Sequence, residues 1–121
     1  MGSALTAGII GAAGFDFALI DLEHGAGSEQ DALEQLQALA ATGCAALIRV
    51  ESTERQRVHR VLDFGAPGVM FPHIDSVEDA KRAVAAVRYP SAGVRGVAAM
   101  TPPAVMASTS NLISLGARIC L

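Results

Sequence analysis

Short apolar runs closed by polar residues alternate with helical stripes along this chain, and that alternation limits the fold more than any other feature. Phe15-Asp16-Phe17-Ala18-Leu19-Ile20-Asp21 is too short for a helix and reads as a buried strand. Ala45 to Val50 and Gly68 to His73 repeat the pattern, the latter with Pro72 near its end, where a lost N–H is tolerated. Helical stripes lie before and between them. Leu5 to Gly14 is small and apolar. Ser28 and Asp31 stand at capping-box spacing, and Leu33, Leu36, Leu39 and Ala40 then run up to Gly43. Thr53 to Phe64 carries Val58, Val61 and Leu62 on one stripe and stops at Gly65. A further helix starts at Ser76, turns Ala80, Ala83, Val84 and Val87 inward, and ends before Tyr89-Pro90. Residues 117–121 read as the opening of a fourth strand, whereas Ala98 to Ser110 is weakly patterned. Strand and helix alternating at roughly 23- to 25-residue intervals imply right-handed βαβ units and a parallel sheet.

Composition agrees with strands covered on both faces. Of 121 residues 51% are hydrophobic and only 17% charged, against ~25% in ordinary soluble proteins. A net charge of −3 offers no basic surface to nucleic acid. No uninterrupted apolar stretch approaches the ~20 residues that span a bilayer. Ala4 to Ala13 lacks the preceding Lys or Arg of a signal peptide. Cys44 and Cys120 are isolated, which predicts reduced thiols in a cytoplasmic protein and no zinc site. No GxGxxG or GxxxxGK[ST] follows a strand, so dinucleotide and P-loop sites are disfavoured.

The chemistry-bearing residues gather where strands end: Asp21, Glu23 and His24 after the first, Arg49 in the second, His73 after the third. In parallel α/β folds that edge is where ligands bind. Asp21 can fix the tautomer of His24 and make it a base, or can simply cap backbone N–H groups. Arg49 closes an apolar run, where an unpaired guanidinium is costly. It can clamp a carboxylate and stabilise an enolate, or pair with Asp21, Glu23 or Asp63. Asp63 stands at a helix C-terminus, unfavourable for an acid, and so calls for a tertiary partner, His24 or an arginine. His59, between Arg57 and Arg60, reads as a surface residue. The single lysine, Lys81, falls on a helix, which leaves no strand lysine for a Schiff base. Carbonyl chemistry would then run on a metal, and Glu23 alone cannot build a Mg²⁺ or Mn²⁺ site.

Gly14-Phe15-Asp16-Phe17-Ala18-Leu19-Ile20-Asp21-Leu22-Glu23-His24-Gly25 resembles the GFDxxxIDxEHG signature of the HpcH/HpaI aldolase/citrate lyase family. The likeness continues through Ile48-Arg49-Val50, Leu62 to Ala66, Gly68 to His73 and Arg88-Tyr89-Pro90 to Gly93-Val94-Arg95-Gly96, covering about residues 8–97. It implies α/β architecture, the parallel βα units of a (β/α)₈ TIM barrel of the phosphoenolpyruvate/pyruvate-binding type. It implies a class II aldolase that cleaves 2-keto-3-deoxy or 4-hydroxy-2-oxo acids to pyruvate and an aldehyde with Mg²⁺, Mn²⁺ or Co²⁺. His24 would be the acid/base, partnered by Asp21 and Asp63. Arg49 would hold the pyruvyl carboxylate and keto oxygen, so that Arg49 and His24 bind the substrate.

The family's two acidic metal ligands, a Glu and an Asp on later strands, are not present in this sequence. Glu51 replaces a usual Pro, and residues 98–121 depart from the pattern. A complete barrel takes ~250 residues. The expectation is therefore one partial domain over residues 1–121, an incomplete half-barrel lacking the first strand and inactive alone. Its partners would be a small keto acid or pyruvate and other copies of itself, with no nucleic acid and no membrane. Two alternatives stand beside it. One is a non-catalytic half-barrel that oligomerises or binds small carboxylates; the other is an acyl-CoA lyase of the citrate lyase β/malyl-CoA lyase branch.

Overall fold

The computed structural model describes residues 2–97 and 119–120. The elements run α1 (Ala4–Ala12), β1 (Phe17–Asp21), α2 (Glu29–Ala40), β2 (Ala45–Arg49), α3 (Arg55–Asp63), β3 (Gly68–Met70), α4 (Val77–Val87) and β4 (Ile119–Cys120). The strands form one sheet in the order β3-β2-β1-β4, and every neighbouring pair is parallel. β1, β2 and β3 each lead into a helix, which gives three parallel βα units, part of a TIM barrel's repeat.

Helix starts follow local chemistry. Ser3, Ser28 and Ser76 each accept a hydrogen bond from the backbone N–H three residues on. At Ser28 the expected capping box is complete, because Asp31 also accepts from the Ser28 backbone N–H. α3 lacks a side-chain cap. It is tied down by ions instead: Arg57 pairs with Glu29 and Glu51, and Arg60 with Glu29. Gly65, with φ +93°, stops α3 in the left-handed region that glycine enters freely.

The core lies between the sheet and its helices. Ala18 and Ile20 of β1, with Ala46 and Ile48 of β2 and Val50 just beyond it, pack on Leu36, Leu39, Val58, Val61 and Leu62. Alternation along β2 then leaves Ala45, Leu47 and Arg49 on the other face. Among the described residues no helix is long and apolar enough to cross a membrane.

The structure departs from the sequence reading in β3 and α4, and it keeps the expected fourth strand. β3 has three residues rather than six, because Pro72 cannot donate to a ladder and His73 takes φ +51°. In α4 the buried residues are Ala83 and Ala86; Ala80 is exposed and Val84 is 47% exposed. Val84 instead borders an open groove with Leu62, Val69, Phe71 and Val87. The fourth strand pairs with β1, Phe17 standing opposite Ile119. The weak pattern expected over 98–110 lies outside the described residues.

Candidate functional site

Asp21 and Arg49 are register partners at the ends of β1 and β2. Adjacent parallel strands thus put an acid and a base side by side on the face away from the helices. Arg49 Nε donates to Asp21 Oδ1 at 3.0 Å and Nη2 donates to Oδ2 at 2.6 Å. This bidentate pairing is the strong form of an ion pair. It holds the Asp21 carboxyl far below the usual carboxylate range, with help from the His24 and Glu23 backbone N–H groups. It raises the already high pKa of Arg49 further.

Asp21 also organises the loop that follows. Its Oδ1 accepts from the backbone N–H of Glu23 at 3.0 Å and of His24 at 3.2 Å. Leu22 N–H donates to the Arg49 carbonyl at 2.9 Å, which extends the ladder one residue past β1. The chain then turns so tightly that a Cβ on Gly25 would overlap the Asp21 carbonyl oxygen. Glycine there is a steric requirement of the turn.

Glu23 enters from this loop. Its side chain is only 10% exposed, and its Oε2 stands 3.2 Å from Arg49 Nε and 3.6 Å from His24 Nε2. Its Oε1 stands 3.5 Å from His73 Nε2. The His24 and His73 imidazoles are 72% and 81% exposed. Asp21 therefore holds the backbone of His24, while Glu23 is the acid beside its ring.

Among the described residues, Asp21 and Glu23 meet Arg49 on its Nε–Nη2 side, and neither engages the Nη1 donors. Two carboxylates against one guanidinium leave the cluster with an excess negative charge. The described residues contain no group of three or more His, Cys, Asp or Glu that could hold a metal ion. The donor set does not fit the divalent ion that the family resemblance implies.

Asp63 is not brought to this cluster. It sits at the C-terminal end of α3, towards the opposite edge of the sheet, and its partner is the arginine alternative. Arg95 Nη2 donates to Asp63 Oδ1 at 3.2 Å, and the Arg95 guanidinium lies 4.7 Å from the Tyr89 ring centre. His59, expected at the surface, is half-buried beneath Gly96, whose N–H donates to its Nδ1 at 3.4 Å. Burial lowers the His59 pKa, and Arg55 and Arg95 add to the effect.

The structure also brings Glu23 and His73 into this cluster. In the sequence Glu23 stands out as a strand-end acid and one of three possible partners of Arg49, and His73 only as a strand-end residue. The signal available was the i, i+2 spacing of Asp21 and Glu23 in a tight turn, together with a histidine just past a neighbouring strand.

With the geometry established, comparison with known proteins gives a consistent result. Residues 2–114 match the HpcH/HpaI aldolase/citrate lyase family. A hydroxypyruvate/pyruvate aldolase of Agrobacterium fabrum is 41% identical over 99 residues, which cover 82% of this chain and 37% of that protein. A 4-hydroxy-2-oxo-heptane-1,7-dioate aldolase of Salmonella dublin is 37% identical over 97 residues, covering 80% of this chain and 37% of its own length. The crystal structure of a HpcH/HpaI aldolase/citrate lyase family protein from Burkholderia cenocepacia superposes with a TM-score of 0.81 at 38% identity, covering 88% of this chain and 44% of that one. The chain spans about two fifths of the length of the curated relatives it matches. With that motif order and this superposition of parallel βα units, the chain belongs to the HpcH/HpaI aldolase/citrate lyase family.

Proposed function

We propose that this chain supplies the keto-acid-binding and enolate-stabilising part of a pyruvate aldolase. The observation that carries the reading is Arg49, fixed through Nε and Nη2 by Asp21 and Glu23, neither of which engages its Nη1 donors. A 2-oxo acid presents a carboxylate and a keto oxygen side by side, and the Nη1 side of Arg49 suits that pair. His24, exposed on the loop and beside Glu23, is the acid/base.

In retro-aldol cleavage the base removes the C4 hydroxyl proton and the C3–C4 bond breaks to release an aldehyde. The bonding pair passes to the keto oxygen as an enolate, which then takes a proton at C3 to give pyruvate. Arg49 faces the oxygen on which charge develops. Asp63, held by Arg95, takes no part in this reading. The setting proposed is the cytoplasm, and the assembly a homo-oligomer.

A second reading, a half-barrel that binds small carboxylates without turnover, is favoured by the lack of a metal-holding group among the described residues. One experiment separates the two. The purified chain is titrated with pyruvate by calorimetry, then incubated with Mg²⁺ or Mn²⁺ and a 4-hydroxy-2-oxo acid while pyruvate release is followed. Pyruvate binding that disappears in Arg49→Ala, with little or no turnover, is expected of the chain alone. Binding that survives Arg49→Ala refutes the assignment of Arg49. Robust turnover refutes the carboxylate-binding reading and the claim that metal ligands are lacking.

A further inference from the structure

Glu23 is the more enclosed of the two acids that meet Arg49. Its two oxygens do different things: among the described residues Oε2 faces Arg49 and His24, and Oε1 faces His73. His73 comes from a different βα unit and reaches Glu23 by an unusual path. It is the one non-glycine residue among those described with positive φ, at +51°. Left-handed backbone in a residue with a Cβ is uncommon and strained. Such strain persists where surrounding contacts hold it. Here the chain leaves the sheet after Met70, and Pro72 has no N–H to continue the ladder. The left-handed residue that follows has its imidazole beside the loop after β1 rather than carrying the strand onward.

We propose that His73 is a positioning residue which, by holding Oε1 of Glu23, keeps Oε2 against Arg49 Nε and so keeps the Nη1 side of Arg49 turned toward the ligand. Asp21 alone fixes the guanidinium in the plane of its two bonds. Glu23 adds a restraint from a second direction, and His73 stops the Glu23 carboxylate from rotating away. The consequence for keto-acid binding rests on the reading of Arg49 given above; the restraint on Arg49 does not.

The test uses the full chain, ¹⁵N-labelled, and follows the Arg49 Nε–H signal, identified by its loss in Arg49→Lys. His73→Gly removes the imidazole while leaving the left-handed backbone unstrained. His73→Asn keeps tolerance of that backbone and restores a side-chain donor. Exchange of the Arg49 Nε proton with water is expected to quicken about threefold in His73→Gly, the scale of one exposed side-chain contact. Glu23→Gln should quicken it more, and His73→Asn should return most of the protection. Pyruvate affinity should fall about threefold in His73→Gly as well, with the melting temperature held or raised by relief of the backbone strain. Unchanged Arg49 exchange in His73→Gly overturns the proposal, as does failure of His73→Asn to restore it. If the wild-type chain fails to bind pyruvate while its Arg49 signal still responds to His73→Gly, the positioning role stands and the keto-acid reading falls.

Discussion

Gly25→Ala puts a methyl group where the loop after β1 crosses back over the strand it has just left. The added Cβ would stand 3.3 Å from the Asp21 carbonyl carbon and still closer to its oxygen. Restoring ordinary contact requires the loop to withdraw by about 1 Å. That movement carries the Glu23 and His24 N–H groups, now 3.0 and 3.2 Å from Asp21 Oδ1, out of hydrogen-bond range. Each bond contributes about 0.5–1.5 kcal/mol net, and water can reach the partly exposed groups, so about 1–2 kcal/mol is lost in total. For a domain of this size that lowers the melting temperature by roughly 4–8 °C. The effect on the site is larger, because the same movement takes Glu23 off Arg49; displacements of about 1 Å in positioned groups can cost up to 10²-fold. Gly27→Ala is the control in the same loop, where the nearest atom to a new Cβ is Asp31 Cβ at 3.5 Å. Thermal melts and pyruvate titrations of both variants are the assay. If Gly25→Ala melts and binds like Gly27→Ala, the steric argument for this turn is wrong.

Four further outcomes follow from the core, from Asp21 and from His59. Ile48→Ala empties a fully buried position on the helix-facing side of β2 and should cost about 2–4 kcal/mol in urea unfolding, with a loss under about 1 kcal/mol contradicting a packed core there. Asp21→Asn removes the charge that fixes Arg49 and should weaken pyruvate binding about tenfold; unchanged affinity would mean that Asp21 does not preorganise the arginine. Because the folded Asp21 carboxyl titrates below its unfolded value, its stabilisation is complete above about pH 4 and lost as pH falls further, and Asp21→Asn should lack that acid-side slope. His59 is shifted down by burial, so the unfolded chain takes up its proton first: stability should decline as pH drops below about 6.5, and His59→Gln should flatten that decline between pH 7.5 and 5.5.

Features with local causes were legible in the sequence. The capping box at Ser28 and Asp31 needs only residues three apart, and it forms as the spacing indicates. The strand ending in Arg49 is also visible, since a run of small and branched apolar residues closes on a charge. Its partner was not legible, because Asp21, Glu23 and Asp63 are equivalent until strand register is known. Parallel pairing of β1 with β2 then puts Asp21 directly opposite Arg49. The inward face of α4 was misjudged for a related reason. Ala80, Ala83, Val84 and Val87 fit one helical stripe by spacing, but the phase depends on where neighbouring βα units stand. Val84 looks out over the groove beside β3, at the edge of the sheet. His59 looks exposed between two arginines in the sequence, but α4 at Ala86 and the return of the chain at Gly96 both reach it.

Electrostatic balance joins the legible and illegible parts of the site. Asp21 and Glu23 together hold one guanidinium, so the cluster is anionic before a keto acid, itself an anion, arrives. Arg49 alone offers one favourable edge, and a second positive charge would balance the incoming carboxylate. The described residues furnish no donor set to hold such an ion. Among the described residues the cluster therefore restrains Arg49 while carrying more negative than positive charge. This predicts ordered pyruvate binding with weak affinity, whose strength declines little when salt is raised because the contact is bidentate and partly shielded. A steep salt dependence would instead place the bound carboxylate on exposed basic side chains such as Arg60, and remove Arg49 from the centre of the site.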